Sequence, residues 1–214
     1  MRLIAWNCWG LGNGPTVKGL LDIQKKEAPD ILFLSETKLD ERRMECFRWK
    51  LGLTNMVVKN CEGRSGGLAL FGRNGIQVKA GLKSRYHIDA EITWEDGFQW
   101  RLTGIYGESH HDNKEVTWKL LKTIQHHSDK PWLCAGDFNE VLMGWEKEGG
   151  AVRPQRCMDR LEETLEECAL HDLGFVVDMF TWRNHNQNEA SYIRERLDRD
   201  VASQTWCDHF LHIV

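Results

Sequence analysis

Two carboxylates stand directly after short apolar runs: Glu36 after ILFLS, and Asp137 after WLCAG with Asn139 two residues on. Asn7 follows RLIAW, Tyr106 follows LTGI, and Asp198 closes YIRERL. Such runs read as buried strands. A carboxylate at the end of one is costly unless it is paired or holds a cation. Glu36 and Asp137 together suit a hard, oxygen-seeking cation such as Mg²⁺. Asn7 and Asn139 offer neutral oxygens and amide donors that fix orientation without adding charge. Strand-end loops are where a rigid scaffold presents function. Each residue also has an ordinary reading: Asp-x-Asn as a cap or turn, a lone Glu as surface, a strand-end Tyr as packing with a wet hydroxyl. The set is more specific than its members.

The elements that position these residues follow from periodicity. RLIAWN alternates as a strand ending near Asn7. Pro15 suits a first helical turn, and Val17, Leu20, Leu21 and Gln24 follow at helical spacing up to Ala28-Pro29. DILFLSE predicts a buried strand, and residues 39–51 a helix. From 54 to 106, TNMVVK, GLALFG, IQVKA, HIDAEITW and FQWRLTGIYG predict a succession of antiparallel strands. Helix returns over 112–127, strand at WLCAG, and helix over 155–170 with Met158, Leu161, Leu165 and Cys168 on one face. YIRERLD reads as a strand, VASQTW as a helical turn or two, and FLHIV as the start of a further strand. With this many strands, two packed sheets with helices outside is the natural solution.

Composition narrows the class. The chain has 214 residues, 41% hydrophobic and 28% charged, which suits one domain over 1–214 with a substantial core. It contains no run of eighteen apolar residues, so no membrane span is expected, and its N-terminus lacks the pattern of a signal peptide. Seven scattered cysteines without C-x-x-C argue against a disulfide framework and for a reduced, intracellular protein. Cys134 and Cys168 sit in apolar runs and read as buried thiols. The pairs His110-His111 and His126-His127 read as solvated surface. A net charge of −4 argues against a protein held to nucleic acid by bulk positive charge. It leaves room for a nuclease, which needs acidic ligands and only a local basic rim.

The ordered motifs WNCWGLG (6–12), LSETK (34–38), SGGLALF (65–71), GIYG (104–107), AGDFNEVL (135–142), EKEGG (146–150), LHDLGF (170–175), FTWRN (180–184) and ERLDR (195–199) resemble those of the endonuclease/exonuclease/phosphatase superfamily. FTW followed by ERLDR looks most like the endonuclease domain of plant LINE-type (non-LTR) retrotransposons. The resemblance implies an α/β fold: a four-layer α/β/β/α sandwich of two mixed sheets with outer helices. It implies Glu36 as principal metal ligand with Asn7 beside it. Asp137 would orient or deprotonate the attacking water, Asn139 would hold the scissile phosphate, and Tyr106 would be the active-site phenol. Asp198 would orient a final His. Thr181, Trp182 and Arg196 would contact DNA. The implied chemistry is phosphodiester hydrolysis assisted by Mg²⁺, with Mn²⁺ the substitute. The implied setting is nuclear: target DNA is nicked to prime a reverse transcriptase carried in the same polyprotein. A repair endonuclease, a phosphatase or a dead nucleic-acid-binding remnant are the other readings. Ser65-Gly66-Gly67 is open to a plain turn or bulge. After Tyr106-Gly107 the chain departs from the family by reading ESHH where a Pro is expected.

The end of the chain, CDHFLHIV, offers Asp208-His209, ten residues past Asp198. The family's Ser-Asp-His lies farther on, at the exit of a strand. Asp208-His209 is expected at the entrance, about 17 Å away for a five-residue strand. The expectation is a domain that lacks its last C-terminal strand, with the catalytic His absent, Asp198 unpartnered and a sheet edge left open.

Overall fold

A computed structural model describes residues 1–184, 186, 188 and 191–210. Strand β1 (Leu3–Asn7) leads into helix α1 (Gly14–Glu27), β2 (Ile31–Ser35), α2 (Glu41–Leu51), β3 (Asn55–Lys59) and β4 (Leu68–Gly72). These build a mixed sheet in the order β1-β2-β4-β3, with β1 and β2 parallel and the other pairs antiparallel. Next come β5 (Gln77–Lys83), β6 (His87–Thr93), β7 (Gln99–Tyr106), α3 (Glu115–Ile124) and β8 (Trp132–Asp137). The rest are β9 (Lys147–Glu148), α4 (Gln155–Glu167), β10 (His171–Asp172), β11 (Trp182–Arg183), β12 (Arg194–Glu195), β13 (Asp198–Ala202) and α5 (Gln204–Phe210). A second mixed sheet runs β10-β13-β8-β7-β6-β5, with β7 and β8 parallel. A small sheet runs β11-β12-β9.

The two large sheets face each other. Ile31, Phe33, Leu68 and Leu70 of the first pack against Trp100, Leu102, Leu133 and Ala135 of the second. The alternate residues point outward: Leu32, Leu34 and Phe71 meet Leu20 of α1 and Met44 and Phe47 of α2. Ile105, Cys134 and Val201 meet Trp118 and Leu121 of α3 and Leu161 and Leu165 of α4. This is the expected four-layer α/β/β/α sandwich. Strands β2, β4 and β8 are buried on both faces because both are covered, which explains why they read as continuous apolar runs. Cys134 and Cys168 are buried thiols in the layer under α3 and α4.

Local signals account for the element ends. The Asn13 side chain accepts from Thr16 N at 2.8 Å and caps α1, with Pro15 in its first turn. The helix stops at Ala28, in the left-handed region before Pro29. Asp40 and Gly52 close α2 in the same manner.

Three expectations near the C-terminus are corrected. Asp198 opens a strand rather than closing one. The YIRERL run is interrupted after Glu195, and Phe138 N donates to Leu197 O at 2.9 Å in the gap. Val201 and Ala202 belong to β13, and the helix runs over Gln204–Phe210. Asp208 and His209 therefore lie within a helix that buries Trp206 and sets Phe210 against Trp100, ring centroids 5.6 Å apart. The remainder of FLHIV, 211–214, lies outside the described residues.

Candidate functional site

Tyr106, Asp137 and Asp198 stand side by side across three adjacent strands. Tyr106 is paired with Asp137 in the parallel β7–β8 ladder, and Asp198 with Asp137 in the antiparallel β8–β13 ladder. Because β13 runs opposite to β8, its first residue reaches the same sheet edge as the last residue of β7 and β8. Residues opposed in register share a face. That face looks toward the first sheet, whose strands β1 and β2 end at Asn7 and Ser35 in register. Glu36 follows one residue later.

Hydrogen bonds join the two sheets at this edge. Asn7 Nδ2 donates to Asp137 Oδ2 at 3.1 Å. The Tyr106 hydroxyl donates to Glu36 Oε1. On the far side of Glu36, Lys38 Nζ lies 3.6 Å from Oε2 and donates to Trp9 O at 3.3 Å. The WGLG turn thus holds a cation against the carboxylate. Asp137 Oδ1 accepts from Asn139 N at 2.8 Å, and Asn139 Nδ2 donates to Gly107 O at 2.8 Å. Lys114, buried under this turn, donates to Asn139 O. The DFN turn is therefore fixed from three directions. All five residues drawn from the strand ends, with Asn139, converge on one place.

Electrostatics sort their roles. Burial and then the neighbouring Asp198 push the Asp137 carboxyl up, against the lowering effect of Asn7 and Asn139. Burial likewise raises Asp198. Two carboxylates at adjacent register positions resist ionising together. Burial, then the bond to Glu36, raises the Tyr106 phenol, which stays a proton donor at neutral pH.

Glycines make the close approaches possible. The pair in SGGLALF is a clamp, not a plain turn: Gly66 O and Gly67 O accept from Lys38 N at 2.9 Å and Thr37 N at 3.0 Å, pinning the turn that carries Glu36. A Cβ on Gly67, at φ +86, would stand 2.5 Å from Thr37 Oγ1. Gly67→Ala should lower stability by about 1–3 kcal/mol through overpacking and displace Glu36. A misplacement of about 1 Å costs activity about a hundredfold. Chemical denaturation and hydrolysis rates of the variant check both. At Gly136, φ +136, a Cβ would meet Ile105 O at 2.2 Å, so only glycine lets β8 deliver Asp137 alongside β7.

The loop that departs from the family is shaped by Glu108. Its side chain accepts from Tyr86 OH at 2.8 Å and from His110 N at 2.9 Å, and its backbone N donates to Thr117 Oγ1. A cavity of about 230 Å³ opens beside Glu36 and Tyr106, lined also by Arg85, Tyr86 and Glu108.

The expected DNA contacts are placed differently from one another. Thr181 is exposed, and its Oγ1 accepts from Leu197 N at 3.0 Å and Asp198 N at 2.9 Å, so it positions Asp198. Trp182 packs against Val141, Met158 and Leu197. Arg196 is a correction. Only 4% of its side chain is exposed, and it is consumed by a closed ring of charges. Its Nη1 donates to Glu146 Oε1 and its Nη2 to Asp172 Oδ1, each at 2.7 Å. Arg199 completes the ring, donating to Glu146 Oε2 at 2.8 Å and Asp172 Oδ2 at 2.7 Å. Burial drives the Glu146 carboxyl up, but the arginines and backbone donors more than offset it, and it ends below its ordinary value. The ring brackets Asp198 from both sides in sequence. Arg194, on β12, is paired with Glu148 at 2.8 Å, whereas Arg183 is 61% exposed and lies 3.9 Å from Asp178.

His209 points elsewhere. Its Nε2 lies 3.3 Å from Asp96 Oδ2, and its ring stacks on Phe98 at 3.6 Å. Among the described residues no histidine hydrogen-bonds Asp198. Nor do three His, Cys, Asp or Glu side chains gather into a metal cluster among them.

The sequence profile described as Endonuclease/Exonuclease/phosphatase family matches residues 4–212. No curated protein matches the sequence. Among solved structures, the 3'-5' exonuclease NExo from Neisseria meningitidis superposes with a TM-score of 0.73 at 19% identity, over 96% of this chain and 88% of that one. The endonuclease domain of TRAS1, a telomere-specific non-LTR retrotransposon, gives 0.69 at 16%, over 97% and 87%. An AP endonuclease from Archaeoglobus fulgidus gives 0.69 at 18%, over 97% and 88%.

Proposed function

Because the chain belongs to the endonuclease/exonuclease/phosphatase family, we propose that it is a metal-assisted phosphodiester hydrolase that nicks duplex DNA, as the endonuclease domain of a non-LTR retrotransposon. The observation that carries this reading is the paired bridging of the two sheets, Asn7 to Asp137 and Tyr106 to Glu36, at one edge. The FTW and ERLDR motifs and the likeness to the TRAS1 domain favour the retrotransposon branch. In that setting the partners are target DNA in the nucleus and a reverse transcriptase of the same polyprotein.

The donor set fits a hard cation. Mg²⁺ is bound through one or two carboxylates plus substrate phosphate and waters rather than by an all-protein cage. Glu36 supplies the carboxylate and Asn7 the neutral oxygen. When bound there, Mg²⁺ or Mn²⁺ supplies neutralisation of phosphate charge and stabilisation of the leaving 3′-oxygen. Asp137, lifted toward the range of a working base, accepts a proton from the attacking water. Asn139 keeps one amide N–H on Gly107 O and has the other for a phosphate oxygen. The protonated Tyr106 donates, and Asp198 is held beside Asp137 by Thr181. His209 is paired with Asp96 and stands apart from Asp198. That same observation favours a second reading, a remnant that binds DNA without cutting it.

Glu36→Gln should lower Mg²⁺-dependent nicking of supercoiled plasmid by more than about a hundredfold, beyond the loss typical of outer partners of a metal, with DNA binding retained in a gel-shift assay. Wild-type protein should nick plasmid without preference for abasic duplex and leave inositol phosphates intact. Preferential cleavage of abasic duplex or inositol phosphate would overturn the nicking reading. Binding with no nicking at any metal concentration would establish the remnant.

A further inference from the structure

We infer that the outer face of the six-stranded sheet carries a binding site for a small oxyanion, built on Arg101 at the opposite end of β7 from Tyr106. The Arg101 side chain is 1% exposed. Its Nε donates to Asp89 Oδ1 at 2.8 Å, and one face of the guanidinium lies over the Trp132 ring, 4.5 Å from its centroid. Asp89 Oδ1 also accepts from Thr103 Oγ1 at 2.6 Å, and Thr103 in turn accepts from Trp132 Nε1 at 2.8 Å. The Nε edge and one face are thus held rigidly. Nη1 and Nη2 are buried without a hydrogen-bond partner. A buried guanidinium with four of its five N–H donors unused is costly, and its planar fork is shaped for two oxygens of one anion.

A cavity of about 360 Å³ lies here, lined by Arg101 with Lys79, His127 and Ser128, and by the carboxylates Asp89 and Glu91. A water takes about 30 Å³ of liquid, so phosphate or a short carboxylate has room. The charges leave space for one anion. Asp89 Oδ1 is shared by Arg101 and Thr103, with Oδ2 on the Gly81 side. Glu91 is shared by Lys79 at 3.2 Å and Lys130 at 3.1 Å. Lys79 and Arg101 balance Asp89 and Glu91 in the lining, and Lys130, pairing with Glu91 from outside it, brings the surroundings to three cations against two carboxylates. Ser128 and His127 supply further polar groups in the lining. The site spans the edge strand β5, β6, β7 and the turn before β8, so an anion bound there cross-links the sheet far from the nuclease edge. Nothing in it rests on the DNA reading.

Thermal unfolding of the full chain in inorganic phosphate and in acetate, each against chloride at equal ionic strength, tests the site. Ligand binding to the folded state raises the midpoint with the logarithm of ligand concentration. Phosphate should give this saturable rise. A rise in acetate as well identifies any oxyanion as ligand, and its absence a tetrahedral one. Lys79→Ala with His127→Ala and Ser128→Ala should weaken the apparent affinity at least tenfold. Asp89→Asn with Arg101→Met, which removes both charges of the pair together, should abolish it. Equal midpoints in phosphate, acetate and chloride would overturn the inference. So would a phosphate shift that both variants retain.

Discussion

Asp137→Asn should yield a protein that is more stable at neutral pH and has lost phosphodiester hydrolysis. The Asp137 and Asp198 carboxyls are both raised, by burial first and, for Asp137, by Asp198 next. An unfolded Asp titrates near 3.9, so between that pH and the folded-state value the native protein holds more protons than the unfolded chain. Stability then falls as pH rises through the folded-state value. An amide at 137 removes the penalty and keeps an oxygen for Asn139 N, while its NH₂ meets Asn7, whose amide must turn its oxygen to accept. One pKa unit corresponds to about 1.4 kcal/mol, and a gain of order 1 kcal/mol is expected above neutrality, shrinking to nothing toward pH 4. Loss of a proton-accepting base costs about 10²- to 10⁴-fold in rate. Denaturation curves at several pH values check the first part and plasmid nicking the second. A variant less stable than wild type at pH 8 would show that Asp137 is held in its charged form by its hydrogen bonds. The acid limb of the wild-type rate profile should lie above the ordinary carboxylate range for the same reason.

Glu146→Ala should be the most damaging single change away from the reacting groups. Glu146 is fully buried and binds both Arg196 and Arg199, and its Oε2 also accepts from Leu142 N at 2.6 Å. Removing it leaves two guanidiniums with Asp172 as their one carboxylate, beside backbone carbonyls. Breaking a buried pair from one side costs about 3–5 kcal/mol. Replacing Glu146, Arg196 and Arg199 together by apolar residues of similar volume should recover much of that loss, because no unpaired charge remains. Denaturant midpoints of the single and triple variants decide it; equal losses would mean that the ring acts through packing rather than charge. Asp198 lies between the two arginines, so activity should fall with the single change more than the fraction unfolded explains.

Much of this was legible in the sequence. Runs such as ILFLS and WLCAG announce buried strands, and the polar residue ending each run marks the sheet edge. That rule picks out Asn7, Glu36, Tyr106 and Asp137, with Asn139 two residues past the last, and the structure brings these five to one edge. Asp198 was found with its strand on the wrong side of it. The alternation in YIRERLDRDVA runs on past Asp198, and only a long-range contact, Phe138 N to Leu197 O, breaks it. The buried ring was not legible. Arg196 and Arg199 resemble surface arginines on a strand, and their acids lie 24 to 53 residues away. No local period encodes such pairs. The expected strand start at Phe210 misled because Trp206 and Phe210, four apart, are the register of a helix that covers Trp100, and an apolar residue at one position does not show this by itself.

The backbone at the site edge has a further consequence. Trp9, Glu36, Lys38 and Asn139 all hold positive φ, and they make up four of the six non-glycine residues that do so among the described residues. Each such residue costs about 1–3 kcal/mol, a load borne by the apolar layers on either side. The catalytic edge is therefore the part of the molecule with the most to gain from opening. Any loss of packing elsewhere, however distant, will be felt there first as fraying of the WGLG, ETK and DFN turns, while the sandwich is still intact. Function in this fold is lost by local melting before structure is lost by unfolding.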